Sequence, residues 1–170
     1  MKKKRNIVAI DPGLRSLGLC QFVGNDLTDF GVKSLRRPGD EGRRENRASL
    51  TFLNLLNQLK PDIILVEEIG AESSPRNLAR LIVTKCIKKL AAERKVTVSE
   101  LPTNIIRKTV AGKETAFKRQ VRAVLCSLFP ELREFGMSGS DAFKRYYQPM
   151  FDAVACAYAY LKLHEEKNYK

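Results

Sequence analysis

Three stretches of the chain end or begin on acids in a way that chemistry can use. In Asn6-Ile-Val-Ala-Ile-Asp-Pro-Gly13 a short apolar run stops at Asp11 and is turned at once by Pro12-Gly13; in Asp62-Ile-Ile-Leu-Val-Glu-Glu68 a second run stops at Glu67 and Glu68. In Asp152-Ala-Val-Ala-Cys-Ala157 an acid leads a run of small residues. Short apolar runs closed by turn residues suit strands covered on both faces, which puts their terminal acids beside the core yet within reach of solvent. Neighbouring residues of a strand face opposite sides, so only one of Glu67 and Glu68 faces Asp11. Each acid alone has a plainer explanation: Asp11 opens a turn, the glutamates are solvated strand-end charges, and Asp152 answers a helix dipole. Gathered at one place, the carboxylates are costly without cations, and their hard oxygens select Mg²⁺ or Mn²⁺. Two such ions can activate water and stabilise the departing oxygen in phosphodiester hydrolysis.

The elements between the acids explain how they could meet. After the Pro-Gly turn, Leu17–Val23 reads as a second strand, Gly24-Asn25-Asp26 as a turn and Leu27–Leu35 as a third strand, an antiparallel meander around a central first strand. Arg36 to Arg44 is a charged loop with two glycines, able to touch a phosphate backbone or to be a plain connection. Leu50, Leu53, Leu56 and Leu59 recur at helical spacing, so a helix runs from about Glu41 to Lys60 and Pro61 stops it. A strand that follows such a crossover lies parallel to the first, which brings Glu67 to the same sheet edge as Asp11. A long helix from about Pro75 to Glu93 follows, then a fifth strand, Lys95–Leu101. Thr103 or Asn104 caps a short helix closed by Gly112. The next helix, Glu114–Leu128, leaves Lys118, Arg119 and Arg122 for solvent or phosphate. Residues 131–148 read as irregular, with Phe143-Lys-Arg-Tyr-Tyr147 able either to stack on bases or to pin the loop to the domain. The last helix is expected from Pro149 to about Glu166, with Asp152 in its first turn.

The 170 residues, 44% of them hydrophobic, suffice for one core, and a single α/β domain over residues 1–170 is expected. Lys and Arg number 31 against 19 Asp and Glu, a formal charge of +12, which suits a polyanion, with nucleic acid ahead of an anionic membrane. Cys20, Cys86, Cys126 and Cys156 lie far apart in apolar segments and read as reduced core thiols of a cytoplasmic protein, not a disulfide frame or zinc site. His164, the only histidine, sits among Lys and Glu near the chain end and reads as solvated. The apolar stretch behind Met1-Lys-Lys-Lys-Arg5 is too short for a secretory signal, and no run approaches the roughly 18 apolar residues of a membrane span.

The order and spacing of five pieces resemble the RuvC family of Holliday-junction resolvases, nucleases of the ribonuclease H-like fold. The pieces are Ile10-Asp-Pro-Gly13 with Gly18 downstream, Pro61-Asp-Ile-Ile-Leu-Val-Glu-Glu68, Ile106-Arg-Lys-Thr-Val-Ala-Gly112, Ala116-Phe-Lys-Arg-Gln-Val121 and Asp152-Ala-Val-Ala-Cys-Ala157. The resemblance implies a mixed five-stranded sheet, its first three strands antiparallel, flanked by helices. It implies Mg²⁺-dependent cutting of four-way DNA junctions, with Mn²⁺ able to substitute, leaving 5′-phosphate and 3′-hydroxyl ends. Asp11, Glu67 and Asp152 would hold two ions, with Asp11 between them. Lys118 would stabilise the developing charge or activate water, and Arg107, Arg119 and the Arg36–Arg44 loop would position backbone. The helix from Pro75 matches the family's homodimer element. Two places depart from the pattern. Where the family usually carries Asp or His one turn before the last acid stands Pro149, leaving Asp141 or the amide oxygen of Gln148 as substitutes. Where it tends to carry an aromatic wedge after the strand glutamate stand Ile69-Gly70. The alternatives are a nuclease of the same fold acting on another nucleic-acid structure and a catalytically weakened junction-binding protein.

Overall fold

A computed structural model describes residues 4–13, 15–35, 44–70 and 74–167. Its five strands are β1 (Asn6–Pro12), β2 (Ser16–Val23), β3 (Asp26–Ser34), β4 (Ile63–Glu67) and β5 (Thr97–Leu101). They form one sheet in the order β3-β2-β1-β4-β5, antiparallel from β3 to β1 and parallel from β1 to β5. This is the mixed sheet expected from the meander followed by crossover helices. The Arg36–Arg44 loop lies outside the described residues except for Arg44, which opens α1 (Arg44–Leu59).

Alternation along the central strands divides the core into two layers. Val8, Ile10, Ile64 and Val66 face α1 and α2 (Pro75–Glu93), where Phe52, Leu56, Ile87 and Ala91 are buried. Ile7, Ala9, Ile63 and Leu65 face the other layer, built from α3 (Thr103–Ala111), α4 (Lys118–Leu128) and α6 (Asp141–Lys167). Between the last two, a 3₁₀ turn at Pro130–Leu132 leads into α5 (Arg133–Gly136). Asp11 and Glu67 continue the odd-numbered set, so the same alternation that buries Ala9 and Leu65 aims both carboxylates toward α6.

Helix α6 differs from expectation in a way that matters for the site. It begins at Asp141, not Pro149, so Pro149 lies inside the helix and Asp152 lies three turns from its start. The stretch expected to be irregular is therefore mostly helical. Proline at this place removes a donor to the carbonyl one turn earlier, and tertiary packing compensates. Tyr147 packs at a tilt against Phe135 and Phe143, 4.7 and 4.8 Å between ring centroids, and Phe135 meets Phe30 of β3 edge-on at 5.9 Å. These aromatics pin the start of the helix to the sheet. Downstream, the small buried residues Ala153, Ala155, Ala157 and Ala159 let the helix lie close over the strands.

Two smaller corrections concern helix starts. Helix α4 begins at Lys118 rather than Glu114, with the Gln120 side chain accepting from the Phe117 backbone N–H at 2.8 Å. Helix α3 takes Pro102 as its N-cap, and the Thr103 hydroxyl is used elsewhere. Gly112 closes α3 in the left-handed conformation, φ 76°, as expected. All four cysteines are free, and burial pushes the thiols of Cys20, Cys126 and Cys156 up, which leaves them inert. His164 is half-buried and stacked on Tyr160 at 3.8 Å instead of being solvated. Among the described residues no helix is long and apolar enough to cross a membrane.

Helix α6 lies directly against the sheet at Gly18. A Cβ placed there would stand 2.0 Å from both the carbonyl carbon and the oxygen of Pro149. Gly18→Ala should therefore lift α6 off β2 and cost about 2 kcal/mol or more, measured by urea or thermal unfolding. Wild-type stability in that variant would show that the contact does not support the fold.

Candidate active site

Strand register sets the first two acids side by side. Ile10 pairs with Val66 in the parallel β1–β4 ladder, so Asp11 and Glu67 are the next residues along, at the C-terminal edge of the sheet. On its other side Asp11 pairs with Gly18. Because Gly18 lets α6 rest on β2 at Pro149, Asp152 is carried one turn further to the same edge. Glu68, by contrast, is exposed and donates its backbone N–H to Leu101, which resolves which glutamate shares the site face.

The carboxylates are held by cations from two different layers. Arg80 of α2 reaches over the sheet edge and places one guanidinium nitrogen 2.8 Å from Asp11 Oδ1 and 3.4 Å from Glu67 Oε2. Lys118, the first residue of α4, puts Nζ 2.5 Å from Asp152 Oδ2. The other oxygens have neutral partners: Thr103 donates to Glu67 Oε1 at 2.6 Å, and Gln148 Nε2 donates to Asp152 Oδ1 at 2.8 Å. Gln148 accepts in turn from Arg122 at 2.6 Å. Gln148 thus stands one turn before Asp152 on the same face, in the place where Pro149 cannot serve. Asp141 is eleven residues back, about 16 Å along the helix at ~1.5 Å per residue, and takes no part in this group.

Arg107 and Lys118 line a cavity of about 30 Å³ with Glu67, Thr103 and Asp152. Arg119 is exposed beside it, its guanidinium 5.7 Å over the Phe117 ring. Of the basic candidates, therefore, Arg107 and Lys118 are at the carboxylates and Arg119 is on the flank. Arg80 and Thr103 were missed by sequence reasoning. Arg80 shares a helical face with buried Thr84 and Ile87, a guanidinium on an inward-facing stripe that could have marked it. Thr103 was legible only as a cap.

Asp11 is the most strained charge in the group. It is 8% exposed, and its carboxyl is pushed up to about 6, first by burial and then by the negative charge of Asp152 and Glu67. Arg80 and Lys118 oppose the rise without cancelling it. An added divalent cation would oppose the part of the rise that comes from Asp152 and Glu67. The donor set is all oxygen, which suits a hard ion. Among the described residues no three metal-binding side chains already surround one point; Arg80 bridges Asp11 and Glu67, and Lys118 holds Asp152.

Comparison with known proteins fits this arrangement. Residues 7–142 match the family model of crossover junction endodeoxyribonuclease RuvC. The chain belongs to the RuvC family. A RuvC relative from Wigglesworthia glossinidia brevipalpis is 26% identical over 165 residues, covering 95% of this chain and 97% of its own. The structure of Thermus thermophilus RuvC in complex with a Holliday junction substrate superposes with a TM-score of 0.73 at 20% identity, covering 91% of this chain and 92% of that one. The yeast mitochondrial Holliday junction resolvase Ydc2 gives 0.72 at 13% identity, covering 98% and 81%. These likenesses establish the ribonuclease H-like fold, and the family is one of endodeoxyribonucleases.

The raised carboxyl of Asp11 has a stability consequence. Between its ordinary 3.8 and about 6 the folded chain keeps a proton that the unfolded chain releases, so stability present at low pH is lost as pH rises through about 6. In EDTA at pH 8, Asp11→Asn should therefore unfold later than wild type, by up to about 3 kcal/mol, and the gain should shrink toward pH 4. A variant less stable than wild type at pH 8 would contradict this electrostatic account.

Proposed function

We propose that this chain is a single-domain Holliday-junction resolvase, a structure-selective endonuclease that nicks four-way DNA junctions by hydrolysis dependent on Mg²⁺, with Mn²⁺ able to substitute. One observation carries the reading: Asp11, Glu67 and Asp152 are brought together at one sheet edge, held there by Arg80 and Lys118. Asp11, Glu67 and Asp152 are the residues that would hold the metal, two ions per site. When bound, the ions supply Lewis acidity toward the phosphate and a water of lowered pKa. Thr103 fixes the Glu67 carboxylate and Gln148 that of Asp152, so their remaining lone pairs have a defined direction. Lys118 is half-exposed, so its ammonium could turn from Asp152 to a phosphate oxygen, where its charge would counter what develops in the transition state. Arg107, half-buried in the same cavity, is placed to hold the backbone beside the cut. The products would carry 5′-phosphate and 3′-hydroxyl ends.

A second reading, a nuclease of this fold acting on another DNA structure, is favoured by Ile69-Gly70 where an aromatic wedge would be expected. Labelled four-way, three-way and linear duplexes, incubated with Mg²⁺ and with EDTA, separate the two. Mg²⁺-dependent paired nicks confined to the four-way substrate support the first reading. Equal cutting of the others supports the second, and binding without cutting removes both. Asp11→Asn should slow single-turnover cutting by about a thousandfold or more while leaving binding in EDTA intact; retained cutting would refute the assigned site.

Symmetrical nicking needs two sites, and a homodimer provides them. Leu78 and Ile82, one turn apart on α2, are 53% and 46% exposed, an apolar stripe that a second copy would cover. Ile82→Asp should sediment as a monomer where wild type sediments as a dimer; unchanged sedimentation would exclude this face as the interface.

A further inference from the structure

A second basic feature lies beside the catalytic edge and is not part of it. A groove of about 760 Å³ opens between α4 and the first turns of α6, with Gly136 and Met137 also lining it. Four cations line it, Arg119 and Arg122 from α4 and Lys144 and Arg145 from α6, against one acid, Asp141. Among the described residues none of the four meets a carboxylate within salt-bridge distance. Arg122 Nε is buried without a hydrogen-bond partner. Cations drawn together in a concave surface without counter-charges repel one another, and an arriving anion relieves that cost.

The groove also has a fixed relation to the site. Lys118, on Asp152, directly precedes Arg119. Arg122 lines the groove and donates to Gln148, which donates to Asp152. Arg145 lies seven residues before Asp152 on the same face of α6, about 10 Å along the axis at ~1.5 Å per residue. That distance is the rise of roughly three nucleotides at ~3.4 Å each.

We infer that this groove is a phosphate-backbone site for the DNA strand being cut, gripping it two to four nucleotides from the cleaved phosphate. Arg119, Lys144 and Arg145 supply the charge. Arg122 is a positioning residue, because the guanidinium that faces the groove also orients Gln148 and through it Asp152. Strand engagement and the setting of the last carboxylate are thereby joined. The inference rests on the nuclease reading of the catalytic edge and adds the path of the strand beyond it.

The test reverses the groove charges in Arg119→Glu/Lys144→Glu/Arg145→Glu. A control makes the same change in net charge at the opposite sheet edge, in Arg5→Glu/Lys60→Glu/Lys95→Glu, all exposed residues. Junction binding is measured in EDTA over a range of salt, with circular dichroism to establish folding. Each lost phosphate contact removes about 0.9 from the log–log salt slope, so the groove variant should lose roughly 2 to 3 and the control much less. Phosphate ethylation two to four nucleotides from the nick should interfere with wild-type binding and cease to matter in the groove variant. Equal slopes for groove variant and control, or an unchanged interference pattern, would overturn the inference. Failure of the enzyme reading looks different: wild type would bind DNA, with the groove effect intact, and cut no junction.

Discussion

The site depends on how closely one helix can lie on one strand. Gly18 has no side chain, and the backbone of α6 at Pro149 occupies the space a methyl would fill. That contact fixes the height of α6 over the sheet and, one turn on, the place of Asp152. Gly18 is also the residue paired across the ladder with Asp11, so one point of close packing sets the separation between a strand acid and a helix acid. The alanines that follow maintain the same height along the rest of the helix. With a larger residue at Gly18, the sheet would still pair and the helix still form. The third carboxylate would then stand too far from the first two to share their charge.

Once the acids are gathered, electrostatics dictates the rest. Desolvation and two like charges make Asp11 reluctant to ionise, and the fold answers with cations from opposite layers: Arg80 over the sheet edge and Lys118 from the start of α4. Removing one partner of a buried charge group is costly because the other is left uncompensated. The arrangement therefore favours exchange over loss. A divalent cation held by the three carboxylates would free Arg80 and Lys118 from them.

Much of this was legible from residue order. Strand-terminal acids, a meander and a crossover helix place Asp11 and Glu67 at one edge, because period-2 burial and parallel pairing leave little freedom. The choice of Glu67 over Glu68 came from the family resemblance, since a run apolar on both faces leaves it open; the β1–β4 register, pairing Ile7 with Ile63 and Ala9 with Leu65, puts Glu67 on the face of Asp11. The start of α6 was not legible. A proline three residues before an acid is a standard helix opening, and the eight helical residues ahead of it are held by long-range aromatic packing, Tyr147 on Phe135 and Phe135 on Phe30. Thr103 misled for a similar reason. Its hydroxyl is as good a cap as it is a carboxylate partner, and which it becomes depends on Glu67, 36 positions away. Arg80 is likewise determined by the tertiary path of α2 over the sheet edge, which no local rule supplies.

The residue one turn before Asp152 then takes on a physical meaning. A carboxylate there would add a fourth negative charge to a group that already raises Asp11 to about 6. Gln148 contributes no charge, and its amide is held at both ends, by Arg122 on the oxygen and Asp152 on the nitrogen. As found, it is an orienting group, since the oxygen that could meet a metal is committed to Arg122. The last acid is therefore tied through a neutral amide to a basic groove, where an acid in the same position would have drawn Arg122 into an ion pair and left the groove with one free cation fewer. With one negative charge fewer than a carboxylate at this position would give, the cluster would hold an added cation less tightly.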